Sequence, residues 1–169
     1  MDAMVHSEEE LLKILDEQGI GYRRVTHPPV YTCAQAEVEW DEMGGASTKN
    51  LFLRERGGRF FLVMTDCHKR LDLKALARQI GAAGRLVFGS PEELLEKLGL
   101  TPGAVTALAL VNDPDHQVQL VIDEDIWAGE CFLCHPLVNT ATLVMTRCDL
   151  LRFFDWTGHL PMVVRLPAG

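Results

Sequence analysis

TKNLFLRERGGRFFLVMT, residues 48–65, is the stretch on which the fold class turns. Two strand-like runs, Thr48–Glu55 and Arg59–Thr65, flank Gly57-Gly58. A Gly-Gly pair accepts the positive φ angles of a tight hairpin turn, so the stretch reads as a β-hairpin. Before it, Ser7 and Glu10 form a capping-box pattern ahead of Leu11, Leu12, Ile14 and Leu15, a first helix ended by Gly19. Gly21–Thr26 follows as a short strand, broken by His27-Pro28-Pro29 because proline cannot donate to a ladder. Residues 33–43 are expected to be weakly helical, with Gly44-Gly45 opening a loop.

After the hairpin, Leu71–Ile80 is amphipathic with Asp72 near its start, and Arg85–Phe88 is a short strand. Ser90, Pro91 and Glu93 open a helix that closes at Gly99. Val105–Val111 is apolar apart from Thr106, as a strand buried on both faces would be. Gln117–Asp123 alternates Val118, Leu120 and Ile122 with the polar Gln117, Gln119 and Asp123, Val121 apart, the period of a half-buried strand. Thr140–Thr146 is a further strand, Cys148–Trp156 a late helix and Met162–Leu166 a final strand. Hairpins mixed with helical insertions predict an α+β fold, with a curved, barrel-like mixed sheet and surrounding helices.

Length and composition bound the rest. The 169 residues, 47% of them apolar, fit one domain over residues 1–169 with a sizeable core. The N-terminus lacks the pattern of an export signal, and the longest apolar stretch, Ala104–Val111, is too short to span a bilayer. A cytoplasmic protein with no membrane contact is expected, with Cys33, Cys67, Cys131, Cys134 and Cys148 as reduced thiols. Net charge is −8, yet residues 49–85 hold nine Lys or Arg against three Asp or Glu. A basic middle third between acidic flanks suits either a local contact with phosphate or a solvated basic face.

Cys131-Phe132-Leu133-Cys134-His135 is a C-x-x-C-H motif. Haem attachment needs export, zinc needs about four ligands, and a redox pair needs a helix that Pro136 discourages. The motif therefore reads as two packed cysteines beside a functional His-Pro, and no metal or cofactor is expected. No G-x-S-x-G, H-E-x-x-H or glycine-rich phosphate loop is present. Lys49-Asn50 stands at the mouth of an apolar strand. A lysine there can offer an ammonium to a phosphate or a carbonyl oxygen, or simply be a surface lysine.

An ordered set of segments resolves the choice. Lys49-Asn50-Leu51-Phe52-Leu53 is followed by Asp72-Leu73-Lys74, Arg85–Ser90 with Leu98-Gly99, Pro102–Thr106, Leu110–Asp113 and His135–Thr142. In this order the chain resembles the YbaK/ProX family of aminoacyl-tRNA editing domains, free-standing relatives of the editing insertion of bacterial prolyl-tRNA synthetase. His135-Pro136-x-x-Asn139-Thr140 is most similar to the ProX branch. The resemblance implies that fold and a hydrolase acting on mischarged proline tRNA, with alanine the amino acid removed. It implies no cofactor, a tRNA acceptor end and prolyl-tRNA synthetase as partners, and a monomer or homodimer.

By the same resemblance, Lys49, Gly103 and His135 are the catalytic positions. Asn50, Ala104, Val105, Thr106, Ala107, Asn139 and Thr140 are the substrate-binding ones. The family's Gly-x-x-x-Pro loop falls on Gly103–Ala107, where Ala107 replaces the proline. The alternatives from other classes are a non-catalytic tRNA- or nucleic-acid-binding or regulatory module of the same fold and a redox or metal protein built on C-x-x-C-H.

Overall fold

The structure, a computed structural model, describes residues 5–29 and 47–167. The segment expected to be weakly helical and its Gly-Gly loop lie outside the described residues. The hairpin forms as read. Strand β2 (Thr48–Glu55) pairs antiparallel with β3 (Phe60–Asp66), in a register running from Thr48 opposite Asp66 to Arg54 opposite Phe60. Gly58 takes the positive φ of the turn, at 97°.

Around the hairpin stand α1 (Glu8–Glu17), β1 (Arg23–Thr26), α2 (Leu73–Gln79), β4 (Leu86–Phe88), α3 (Pro91–Leu98) and β5 (Val118–Asp123). They are followed by α4 (Glu124–Trp127), β6 (Cys131–Cys134), β7 (Ala141–Thr146), α5 (Arg147–Thr157) and β8 (Met162–Val164). Ser7 and Ser90 close full capping boxes on α1 and α3, and Asp72 caps α2 by accepting from the Lys74 and Ala75 amides. Each cap satisfies amide donors that a helix start leaves unpaired.

The strands form two open sheets. A mixed five-stranded sheet has the order β4-β2-β3-β5-β8, with β3, β5 and β8 mutually parallel. An antiparallel three-stranded sheet has the order β1-β7-β6. The sheet expected to be barrel-like is thus mixed as predicted but does not close. Alternation along β2 and β3 feeds two cores. Phe52, Phe60, Leu62 and Met64 join α1, α3, α5 and the small sheet through Leu11, Leu94, Phe153 and Phe132. Leu53, Phe61 and Val63 face the other way, against Leu76, Ala77 and Ile80 of α2 and its flank.

Two elements depart from expectation. Val105–Val111 is no strand: Pro102–Ala104 and Ala107–Asn112 are 3₁₀ turns. The Thr106 hydroxyl accepts from the Leu108 amide and starts the second turn, and the Asp113 amide closes it on the Leu110 carbonyl. Residues Ala107–Val111 are buried on all sides, so neither period shows in the sequence. Conversely, Cys131–Cys134, without alternation of its own, is a strand because β7 pairs with it from Cys131 opposite Thr146 to Cys134 opposite Leu143. No helix among the described residues is long and apolar enough to cross a membrane.

Candidate functional site

Strand β2 begins where the two sheets meet. The buried Thr48 hydroxyl donates to the Leu133 carbonyl of β6 at 2.9 Å, tying the larger sheet to the smaller. Beyond it the strand period separates two neighbours. Lys49 stands on the face of Leu51 and Leu53, and Asn50 on the face of Thr48 and Phe52. Lys49 is half-buried. Burial pushes its pKa below that of an ordinary lysine, and the nearby Asp66 carboxylate only partly offsets this. The Asn50 Oδ1 is buried with no hydrogen-bond partner among the described residues. Such an unsatisfied acceptor costs about 1–3 kcal/mol, a debt a ligand donor can relieve.

Asn50 lines a cleft of about 290 Å³ with Phe52, Phe88, Gly89, Pro102 and Val105 among its walls. The first 3₁₀ turn contributes Pro102 to these walls and carries the half-buried Gly103 next to it. The other predicted residues of this loop point inward. Ala104, Thr106 and Ala107 are buried, and Ala107 packs in the larger core as the first residue of the second 3₁₀ turn. Gly89 makes the cleft wall possible: a Cβ there would stand 2.3 Å from the Phe52 ring, itself stacked 5.3 Å from Phe60.

On the other side of the Thr48 bond is a histidine pair. His135 follows β6, and its Nδ1–H donates to the Ala141 carbonyl at 3.2 Å. Burial lowers its pKa; the Ala141 bond pulls it back and His27 pushes it down further. A histidine shifted below its usual value of about 6.5 is neutral at pH 7, and with Nδ1 protonated its Nε2 can accept. The His27 and His135 rings lie 6.3 Å apart. A carbonyl only accepts, so His27 Nδ1–H donates to Pro28 at 2.8 Å and Nε2 takes the Thr142 hydroxyl at 2.8 Å. The His27 amide donates to the Thr140 carbonyl at 3.0 Å, fixing the loop that carries the half-buried Asn139 and the exposed Thr140.

The structure therefore brings Asn50 together with Val105 and the Gly103 turn, and His135 together with the Asn139-Thr140 loop. It sets Lys49 on the opposite face of β2 from Asn50. In the sequence His27 reads only as part of the His27-Pro28-Pro29 strand break. Its partnership with Thr142 bridges 115 positions. The one local signal is a repeated dipeptide, His27-Pro28 and His135-Pro136.

The cysteines are placed differently from expectation. Cys131 and Cys134 are three residues apart on a strand, so their side chains leave opposite faces of β6. Burial pushes the Cys134 thiol up to about 12. Cys67 is disulfide-bonded, against the expectation of reduced thiols throughout. Redox compartment governs whether such a bond persists, not which thiols the fold brings within reach. Among the described residues no group of three or more His, Cys, Asp or Glu is arranged to hold a metal ion.

Comparison with known proteins gives these features a setting. The sequence pattern of the aminoacyl-tRNA editing domain matches residues 27–153. A prolyl-tRNA synthetase associated domain-containing protein 1 of Danio rerio is 36% identical over 96% of this chain and 89% of its own length. The prolyl-tRNA editing protein ProX of Acetoanaerobium sticklandii is 34% identical over 95% of this chain and 98% of its own. A crystal structure of a candidate trans-editing enzyme for prolyl-tRNA synthetase superposes with a TM-score of 0.73. It covers 98% of this chain and 100% of that one at 24% identity, a likeness of fold. The matched pattern opens at His27, takes in β2 and the 3₁₀ turns and passes the His135 loop, and the chain belongs to the aminoacyl-tRNA editing domain family.

Proposed function

We propose that this chain is a trans-editing deacylase of one domain that hydrolyses the ester of mischarged proline tRNA, with alanyl-tRNA its preferred substrate. The observation that carries the reading is the cleft beside the β2 entry in a chain of this family. A buried acceptor, Asn50 Oδ1, has no hydrogen-bond partner among the described residues, and Asn50 lines this cleft with Val105 and with Pro102 of the Gly103 turn. The substrate's free amine or its ribose hydroxyl offers the donor that this oxygen lacks.

In this mechanism water attacks the ester carbonyl. Backbone amides at the Gly103 turn steady the developing oxyanion, where the absence of a side chain allows close approach. The Lys49 ammonium holds the terminal phosphate or carbonyl oxygen from across the strand entry. His135, neutral, accepts a hydrogen bond from water or ribose through Nε2, and His27 fixes its surroundings. No side-chain nucleophile is required, because an aminoacyl ester is intrinsically labile. A cleft of about 290 Å³ bounded by Phe52 and Val105 favours a small side chain. One methylene excluded by size contributes only about 1–3 kcal/mol, so recognition of the amine must contribute as well.

The test is a deacylation panel of alanyl-, cysteinyl-, seryl- and prolyl-tRNA bearing the proline anticodon. Release of alanine with prolyl-tRNA spared is the expected outcome. The vertebrate relatives are named only as synthetase-associated domain proteins, which favours a second reading, a non-catalytic tRNA-binding module. That module would bind the panel and turn over none of it.

A further inference from the structure

The fold divides the basic middle third. Arg54 pairs with Glu93 at 3.3 Å, Arg59 with Glu55, and Lys69 with Asp123 at 2.9 Å and Asp125 at 3.1 Å. Lys74, Arg78 and Arg85 have no carboxylate partner among the described residues. They line a groove of about 1010 Å³ between α2 and β4, floored by Leu73, Ala77 and Leu86, with no acidic residue among the described residues of its lining. Arg56 lies along its rim, its side chain against Gly84. Among the described residues none of these four cations has a carboxylate within 4.0 Å, and Lys74, Arg78 and Arg85 are exposed. Lys74 and Arg78, one helical turn apart, share a face of α2. Four unpaired like charges repel one another, and in a chain of net charge −8 their gathering is a local exception.

The groove opens on the same side of the sheet as Lys49. Leu53 pairs with Phe88 and Glu55 with Leu86, so Phe88 and Leu86 share the β2 face that carries Lys49, Leu51 and Leu53. The seven strand positions from Lys49 to Glu55 span roughly 20 Å. That length suits the backbone of a few nucleotides, with an apolar floor under the sugars and cations at the phosphates.

We propose that this groove holds the phosphate backbone of the RNA adjoining the aminoacylated end. The proposal rests on the deacylase reading for the identity of the RNA, and on the groove's charge for its place. The probe is an uncharged hairpin with the acceptor stem of proline tRNA and its single-stranded 3′ end. Binding is followed by fluorescence anisotropy from roughly 50 to 200 mM salt, the range over which phosphate contacts register. The K74A/R78A/R85A variant should bind at least about tenfold more weakly, with a log-log salt slope shallower by about 2. K13A/R152A, which removes two cations outside the groove, should bind as wild type, and melting curves confirm that both variants are folded. Unchanged affinity and slope in the groove variant, equal weakening in the control variant, or absence of binding by wild type would each overturn the proposal. Hydrolysis of 3′-alanyl-adenosine, which carries no phosphate, should proceed at the same rate in wild type and groove variant. Failure of wild type on that ester would count against the deacylase reading alone, and the hairpin measurement would still decide the groove.

Discussion

Replacing Lys49 by Ala removes an ammonium that its surroundings already disfavour, so folding should survive while deacylation falls by at least about tenfold. That corresponds to roughly 1.4 kcal/mol of transition-state stabilisation. Lys49→Arg should recover part of it, because a planar fork does not reproduce a compact point charge. Single-turnover rates at wild-type level for Lys49→Ala would assign Lys49 to the surface. His135 gives a second test. Its folded pKa is lowered by burial, so the unfolded chain binds the proton more readily. The stability it contributes is complete above the unfolded value of about 6.5 and is lost as pH falls toward the folded one. Urea midpoints should therefore drop on acidification through that range, and His135→Gln should flatten the drop. Equal curves would remove His135 as the cause. Lys49 and His135 could be named before the fold because a motif carries them; His27 could not, since Thr142 and the His135 ring reach it only through the β1–β7 pairing.

At the scale of elements, legibility followed the pattern each segment needed. The hairpin was plain because alternation and Gly57-Gly58 agree, and α1 and α3 because their caps are written locally in Ser7, Glu10, Ser90 and Glu93. Val105–Val111 was misread as a strand because a short run buried on every side carries no period, and the decisive residue, Thr106, acts through its own side chain. Strand β6 was invisible because its identity comes from β7. The contact between β4 and β2 carries its own prediction. Gly89→Ala would press a methyl into the Phe52 ring, which Phe60 holds in place. A loss of about 1–3 kcal/mol is expected in denaturant unfolding, with a matching fall in deacylation as the cleft wall shifts. Stability at the wild-type value would show that the ring yields freely.

Across the whole molecule, one buried carboxylate joins distant parts of the chain. Burial pushes the Asp123 pKa up, but Lys69, the Thr65 hydroxyl and the amides of Asp125 and Leu166 outweigh it and hold the group below its usual value. The Thr65 bond is 2.7 Å and the Lys69 bond 2.9 Å. Asp123→Ala would leave Lys69 with only the more exposed Asp125 carboxylate, orphan the buried Thr65 hydroxyl and free the start of α4, costing about 3–5 kcal/mol in urea unfolding. A change below about 1 kcal/mol would mean that water replaces the carboxylate at little cost. The same region shows how the molecule must assemble. Strands β3 and β5 lie side by side and parallel, yet the chain between them contains α2, β4, α3 and both 3₁₀ turns. Parallel neighbours need such a long crossover, and closing it costs entropy before any contact repays it. Asn50 stands before the crossover and Pro102 and Val105 within it. The cleft therefore has no local precursor: a nascent chain that has released β2 and β4 but not the first 3₁₀ turn still lacks one of its walls.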